Sequence, residues 1–158
     1  MRLVYFADPL CSWCYGFGPQ LWAVLEKHPG TELDLVMGGL RPYNMQLMSP
    51  AFKDMLRGHW NHVHEASGLP FATGILARDD FVYDTEPACR AVVAARTLDA
   101  TRAFTCFKAI QVAFYRDSRD MTRPGALADV AVESGYAFDE FAATLESEAM
   151  REIGRAHV

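Results

Sequence analysis

A Cys-x-x-Cys pair, Cys11-Ser12-Trp13-Cys14, stands between a strand-like run and a helical one, and that placement restricts the chain more than any other feature. Arg2 to Ala7 is a short, nearly continuous apolar run carrying Val4, Tyr5 and Phe6, stopped by Asp8-Pro9. It reads as a central strand covered on both faces. From Pro19 to Lys27, Leu21, Trp22 and Leu25 recur at helical spacing, and Gly16, Gly18 and Pro19 predict a kink or a helix start just before them. Pro29-Gly30 ends this helix, and Glu32 to Gly38 alternates Leu33, Leu35 and Met37 on one side, as a second strand does. Strand, helix and strand in that order take a right-handed parallel crossover by default.

A thiol at the start of a helix meets unpaired N–H groups and the positive end of the helix dipole, and both favour the thiolate. Cys11 is therefore the expected attacking sulfur. Cys14, one turn on, is expected to be more buried and to attack the mixed disulfide formed on Cys11. A bare pair of this spacing also occurs as half of a zinc site or by chance, but after a strand in a βαβ pattern it reads as a redox motif. Trp13, between the cysteines, belongs on the substrate-facing surface. Asp8 either caps the turn or accepts a proton when Cys14 must ionise, and its charge opposes ionisation of Cys11.

After Gly38-Gly39 helical patterns take over. Ser49-Pro50 opens a helix to about Ser67, Thr85 one to about Leu98, Thr101 one to Arg116, Pro124 one to Ser134, and Asp139 one to about Ile153. Cys106 lies on an apolar stripe and Cys89 at the edge of one, so both read as core packing. His59, His62 and His64 read as a polar helix face in solvent, because no acid or thiol completes a metal-ligand spacing with them. Trp22 and Trp60 read as core or subdomain contacts.

Four cysteines in 158 residues are too sparse for a disulfide-stapled scaffold. A net charge of -5 argues against a general nucleic-acid binder. No apolar stretch approaches the roughly 20 residues needed to cross a bilayer. With no leader-like segment ahead of the first strand, the expected compartment is a reducing cytoplasm.

The segment Ala7-Asp8-Pro9-Leu10-Cys11-Ser12-Trp13-Cys14-Tyr15-Gly16 resembles the active-site region of the DsbA family of thioredoxin-like proteins, and more narrowly its cytoplasmic FrnE-like members. The resemblance implies an α/β fold: a thioredoxin-like βαβ unit over residues 1–39, a helical insertion over 40–136, and a helix over 137–158 returning toward the first unit. It implies a disulfide oxidoreductase in which Cys11 is the nucleophile, Cys14 resolves, and Ser12 and Trp13 tune the redox potential beside Asp8 and Pro9. No cofactor beyond the Cys11–Cys14 disulfide is implied, and no metal; the expected partners are protein or small-molecule thiols and disulfides.

Family members also carry a cis-proline loop and two further strands after the insertion, and no proline follows Pro124 here. The expectation is thus of a truncated sheet of two strands with open edges, in a chain that either associates with a second copy, a homodimer being the simplest arrangement, or is less stable than its full-length relatives, unless Gly74 to Tyr83 supplies a third strand. Two alternatives accompany the oxidoreductase: a relative of the glutathione-dependent isomerases, whose attacking position typically holds serine, and a redox-inactive domain serving oligomerisation or partner binding.

Overall fold

A computed structural model describes residues 1–157 and the side chains of residues 1–152. Strand β1 (Arg2–Ala7) pairs in parallel with β2 (Glu32–Met37), in a register that sets Tyr5 opposite Leu35 and Ala7 opposite Met37. Between them run α1 (Ser12–Gly16) and α2 (Gly18–Lys27), separated at Phe17, so the expected kink is present. The sheet has two strands among the described residues. The suggested third strand is a correction: α4 (Gly74–Ala77) opens that segment, and what remains is a single antiparallel bridge between Leu47 and Val82. Phe81 and Tyr83 are buried there, so the segment's apolar residues fill the core without entering the sheet.

β1 also differs from its expected environment. Val4 and Phe6 are exposed, while Ala7 is buried and Tyr5 packs against Phe107. Helices cover one face of the strand only; a continuous apolar run records apolar side chains on both faces, not what covers each of them.

The remaining helices are α3 (Pro50–Ser67), α5 (Glu86–Leu98), α6 (Ala103–Tyr115), α7 (Pro124–Glu133), α8 (Phe138–Glu146) and α9 (Glu148–His157). α3 begins as its sequence predicts, with the Ser49 hydroxyl accepting from the Phe52 N–H at 3.2 Å, and stops at Gly68, whose φ of 72° is left-handed. The single last helix expected from Asp139 is two, broken at Ser147, which turns extended while its hydroxyl accepts from the Met150 N–H. Buried Arg90 ties α5 to this break, pairing with Glu86 at 2.7 Å and donating to the Leu145 carbonyl.

α5 is the axis of the molecule: Ala88, Cys89, Ala91, Val92, Ala94 and Ala95 are all buried, and Arg96 donates to the Leu35 carbonyl of β2 at 2.7 Å. Small side chains let α6, α7, α8 and α9 approach it closely, and one apolar core runs from Ala7 to Met150. α1 is held against α3 by a similar device. A Cβ on Gly16 would lie 2.6 Å from Cγ1 of Val63, so only glycine permits this approach. That contact places the cysteine pair beside α3.

Candidate active site

Cys11 occupies the cap position of α1 with extended backbone, and Cys14 lies one turn into that helix. All four cysteines are free thiols, with Cys11 and Cys14 part-buried to a similar degree and Cys89 and Cys106 fully buried. The expected difference in burial between the pair is absent; their chemistry differs for another reason. The Cys14 thiol donates toward the Cys11 sulfur, the N–H groups of Cys14 and Trp13 face the same atom, and together they bring Cys11 down from about 9 to about 6 against burial and the charge of Asp8. Cys14 is pushed up, first by the Cys11 sulfur it donates to and then by burial. One proton is thus shared unequally, leaving a thiolate at Cys11 and a thiol at Cys14 near neutrality.

Once Cys11 is tied up in a mixed disulfide, the partner that holds the Cys14 proton is gone. Burial then remains the main obstacle to ionising Cys14, and the Asp8 N–H and the Tyr5 hydroxyl favour its thiolate. The Tyr5 hydroxyl also donates to the Cys14 carbonyl at 3.4 Å. Attack by Cys11 first and release by Cys14 second is the order this arrangement supports.

Asp8 is 4% exposed, and its carboxylate accepts from the Leu10 N–H at 2.7 Å and the Leu40 N–H at 2.6 Å. The Thr85 hydroxyl and the Cys89 thiol face it as well, while burial raises its pKa above the ordinary carboxylate value. The bond to Leu10 is the expected turn chemistry. The bond to Leu40 was not legible, because it ties the turn after β1 to the bend after β2. Thr85 likewise is not the side-chain cap of α5 that its place before Glu86-Pro87 suggests. Its hydroxyl accepts from the Arg41 N–H at 3.0 Å, and its own N–H donates to the Arg41 carbonyl at 3.2 Å.

A cleft of about 380 Å³ opens beside Cys11, walled by Trp13, Leu40, Arg41, Phe52, His59 and Trp60. Trp13 is 44% exposed, as expected, and meets the rings of His59 and His62 edge-on at 6.3 and 5.7 Å. His59, His62 and His64 are exposed, as expected of a polar helix face, and the first two also touch the residue between the cysteines. Ser12 is buried at the start of α1, and Pro9 is buried in the turn before it. Below the cleft, Trp60 is 1% exposed, and Tyr15 stacks on Tyr115 at 5.0 Å. The Tyr83 hydroxyl donates to the Leu10 carbonyl, fixing the residue before Cys11 from the helical side. Trp22 is a contact with the helical insertion rather than a core residue: it is 45% exposed, its ring covered by the Lys108 ammonium of α6 at 4.4 Å and its N–H given to Glu26.

Residues 2–157 match the model of the DSBA-like thioredoxin domain. The chain belongs to that family. Among solved structures, a candidate protein disulfide isomerase from Nitrosomonas europaea is 31% identical with a TM-score of 0.89, over 99% of this chain and 75% of that one. The cytosolic disulfide reductase DsbM from Pseudomonas aeruginosa is 30% identical with a TM-score of 0.85, over 99% and 74%. DsbM with GSH is matched at 29% identity and a TM-score of 0.80, over 99% and 77%. This DSBA-like chain thus spans about three quarters of each of these relatives. No curated protein matches it. With the family and these neighbours, the chain is a thiol-disulfide oxidoreductase in the general sense.

Alkylation tests the split between the sulfurs. Iodoacetamide captures thiolates, so labelling of Cys11 should be half-maximal near pH 6, following its pKa of about 6. The rate should level off above about pH 7, whereas an unshifted thiol keeps gaining through about pH 8.5. Burial raises the thiols of Cys89 and Cys106, the latter to about 12, so neither should label in the folded protein. Equal labelling rates at all four sites would refute the assignment of Cys11.

Proposed function

We propose that this chain is a dithiol disulfide reductase acting in the cytoplasm on low-molecular-weight disulfides such as glutathione disulfide. The observation that carries the reading is the placement of Cys11 at the cap of α1 on the wall of the cleft, with Cys14 one turn on, and the lowered Cys11 and raised Cys14 thiols accord with it. A thiolate at neutral pH beside a retained thiol is ready to attack a disulfide in the reduced state of the pair. The Cys11 thiolate attacks one sulfur of R–S–S–R, forming Cys11–S–S–R and releasing RS⁻, which takes a proton. The Cys14 thiolate, its proton lost to solvent, then attacks the Cys11 sulfur, closing the Cys11–Cys14 disulfide and releasing the second RS⁻. Two electrons pass from the pair to the substrate, and two thiols, or one dithiol, restore the pair by the reverse chemistry. The neighbouring DsbM is a cytosolic disulfide reductase whose structure is known with GSH, which supports both the direction and the size of substrate proposed. No described helix is long and apolar enough to cross a membrane. A serine at the attacking position, typical of the isomerase relatives, is absent, which weighs against that alternative.

Mass spectrometry after rapid alkylation tests the reading on chain equilibrated with mixtures of glutathione and glutathione disulfide. Cys11 and Cys14 should lose two hydrogens together as the mixture becomes oxidising and regain them as it becomes reducing. Cys89 and Cys106 should stay thiols throughout. A pair that does not respond to the mixture would make this a redox-inactive domain.

A further inference from the structure

Arg41 stands apart from most arginines of this chain. Arg78, Arg90, Arg102, Arg116, Arg119 and Arg123 each pair with a carboxylate. Arg41 has no carboxylate within ion-pair distance among the described residues; its guanidinium lies over the Phe52 ring, 4.2 Å from the centroid. It is half-buried, and it walls the same cleft as Cys11. Its backbone is fixed at both of its polar groups by Thr85, at 3.0 and 3.2 Å, and the preceding Leu40 N–H is fixed by Asp8 at 2.6 Å. A cation on an aromatic face and a clamped backbone has little freedom left to lose on binding an anion.

The surroundings select for the same charge. Among the described residues no Asp or Glu lines the cleft, although the chain as a whole carries a net charge of -5. The charged and titratable side chains on the cleft walls are Arg41 and His59, besides Cys11 itself and the buried Tyr83 hydroxyl. Asp8 lies behind the wall, engaged by the Leu10 and Leu40 amides. On the far side of Arg41 and Phe52 the cleft gives way to a polar hollow of about 160 Å³ lined by Asn44, Gln46 and Ser49. A ligand whose sulfur reaches Cys11 thus meets a guanidinium, and beyond it groups suited to a peptide backbone.

We propose that Arg41 is the carboxylate-binding residue of the Cys11 cleft and selects small peptide thiols, and their disulfides, that carry a free carboxylate over neutral ones. The turnover this implies rests on the reductase reading, but the binding does not. A guanidinium over a fixed ring offers two parallel donors to a carboxylate, which a neutral thiol cannot use. Asp8 and Thr85 act on this step as positioning residues, through the backbone of residues 40 and 41.

The binding arm uses S-methylglutathione, which has no thiol, and its dimethyl ester, titrated into the reduced chain by calorimetry or NMR. Arg41→Met keeps an apolar stem on Phe52 and should weaken S-methylglutathione at least tenfold, while Arg41→Lys should recover part of the loss. The ester should bind the wild type no more tightly than it binds Arg41→Met. In the turnover arm, the ratio of kcat/KM for glutathione disulfide to that for neutral hydroxyethyl disulfide should fall at least tenfold in Arg41→Met, chiefly through KM. Thermal midpoints of both variants, checked against the wild type, separate a lost contact from a lost fold. S-methylglutathione that fails to bind, binds Arg41→Met equally well, or binds no better than its ester overturns the assignment. If wild type turns over neither disulfide, the reductase reading fails while the binding arm still decides the role of Arg41.

Discussion

Replacing Cys11 by serine should abolish disulfide exchange, whereas replacing Cys14 by serine should trap the protein on its substrate. Serine cannot form the mixed disulfide, so Cys11→Ser has no first step. Cys14→Ser keeps the attacking sulfur and loses only the group that resolves it, so Cys11–S–S–R should accumulate, resistant to release except by added thiol. The same substitution also removes the Cys14 thiol that donates toward Cys11, the largest influence lowering the Cys11 pKa. A hydroxyl is a better donor than a thiol, so the alkylation midpoint of Cys11 should stay low in Cys14→Ser and rise in Cys14→Ala, where no donor is left. Intact mass after exposure to glutathione disulfide reads the trapped adduct directly, and exchange assays read the loss. Equal residual activity in the two variants would overturn the division of labour.

The second large effect is expected at Trp60. Its ring is 1% exposed and meets Phe71, Phe114 and Tyr115 at centroid distances of 5.9, 5.9 and 5.2 Å. Tyr115 in turn stacks on Tyr15, one residue past Cys14. Trp60→Ala removes the largest side chain of this cluster and leaves a void that rigid aromatic neighbours cannot fill. The expected cost is about 3–5 kcal/mol, a large part of the roughly 5–15 kcal/mol that holds an ordinary domain together. Trp60→Phe should cost less, because a ring remains against Tyr115. Urea unfolding at constant m-value measures both. In the fraction that stays folded, Cys11 should remain the thiol that ionises first, because the donors that lower its pKa are Cys14 and Trp13 on its own helix, while loss of the Trp60 ring from the cleft wall only lessens the burial that opposes them. A loss below about 1 kcal/mol on Trp60→Ala would mean that the cluster is not what holds α3 against α6.

Much of the site was legible because its chemistry is local. Cys11 and Cys14 lie three residues apart across the start of α1, and the amides that favour the thiolate belong to Trp13 and Cys14. A strand, a breaker and a helix start are all written in the order of the residues. The same holds for Ser49 and Gly68 at the ends of α3, where cap and stop act within a few residues of themselves. Legibility failed wherever the partner is distant in the chain. Thr85 looks like a helix cap and instead clamps Arg41, forty-four residues away. Cys89 packs in the core as expected, but its thiol also faces Asp8.

The sequence by itself determined the parallel β1–β2 pair, the kinked helix between them, the run of helices after Gly39 and the placement of Cys11 and Cys14 at the start of α1. Each of these depends on periodicity, on breakers or on groups within one helical turn, which residue order records. The tertiary structure alone decided that β1 is covered on one face, that the segment from Gly74 enters the core without joining the sheet, and that Arg41 lies over Phe52 beside Cys11 with no carboxylate in ion-pair distance among the described residues. Apolar side chains can be buried equally well by a sheet or by helices, so hydrophobicity does not say which neighbour covers them. The wall of the cleft joins the start of α1, the bend after β2, α3 and the segment before α5. Contacts of that range exist only once the small residues of α5 and Gly16 have let the backbones close in on one another.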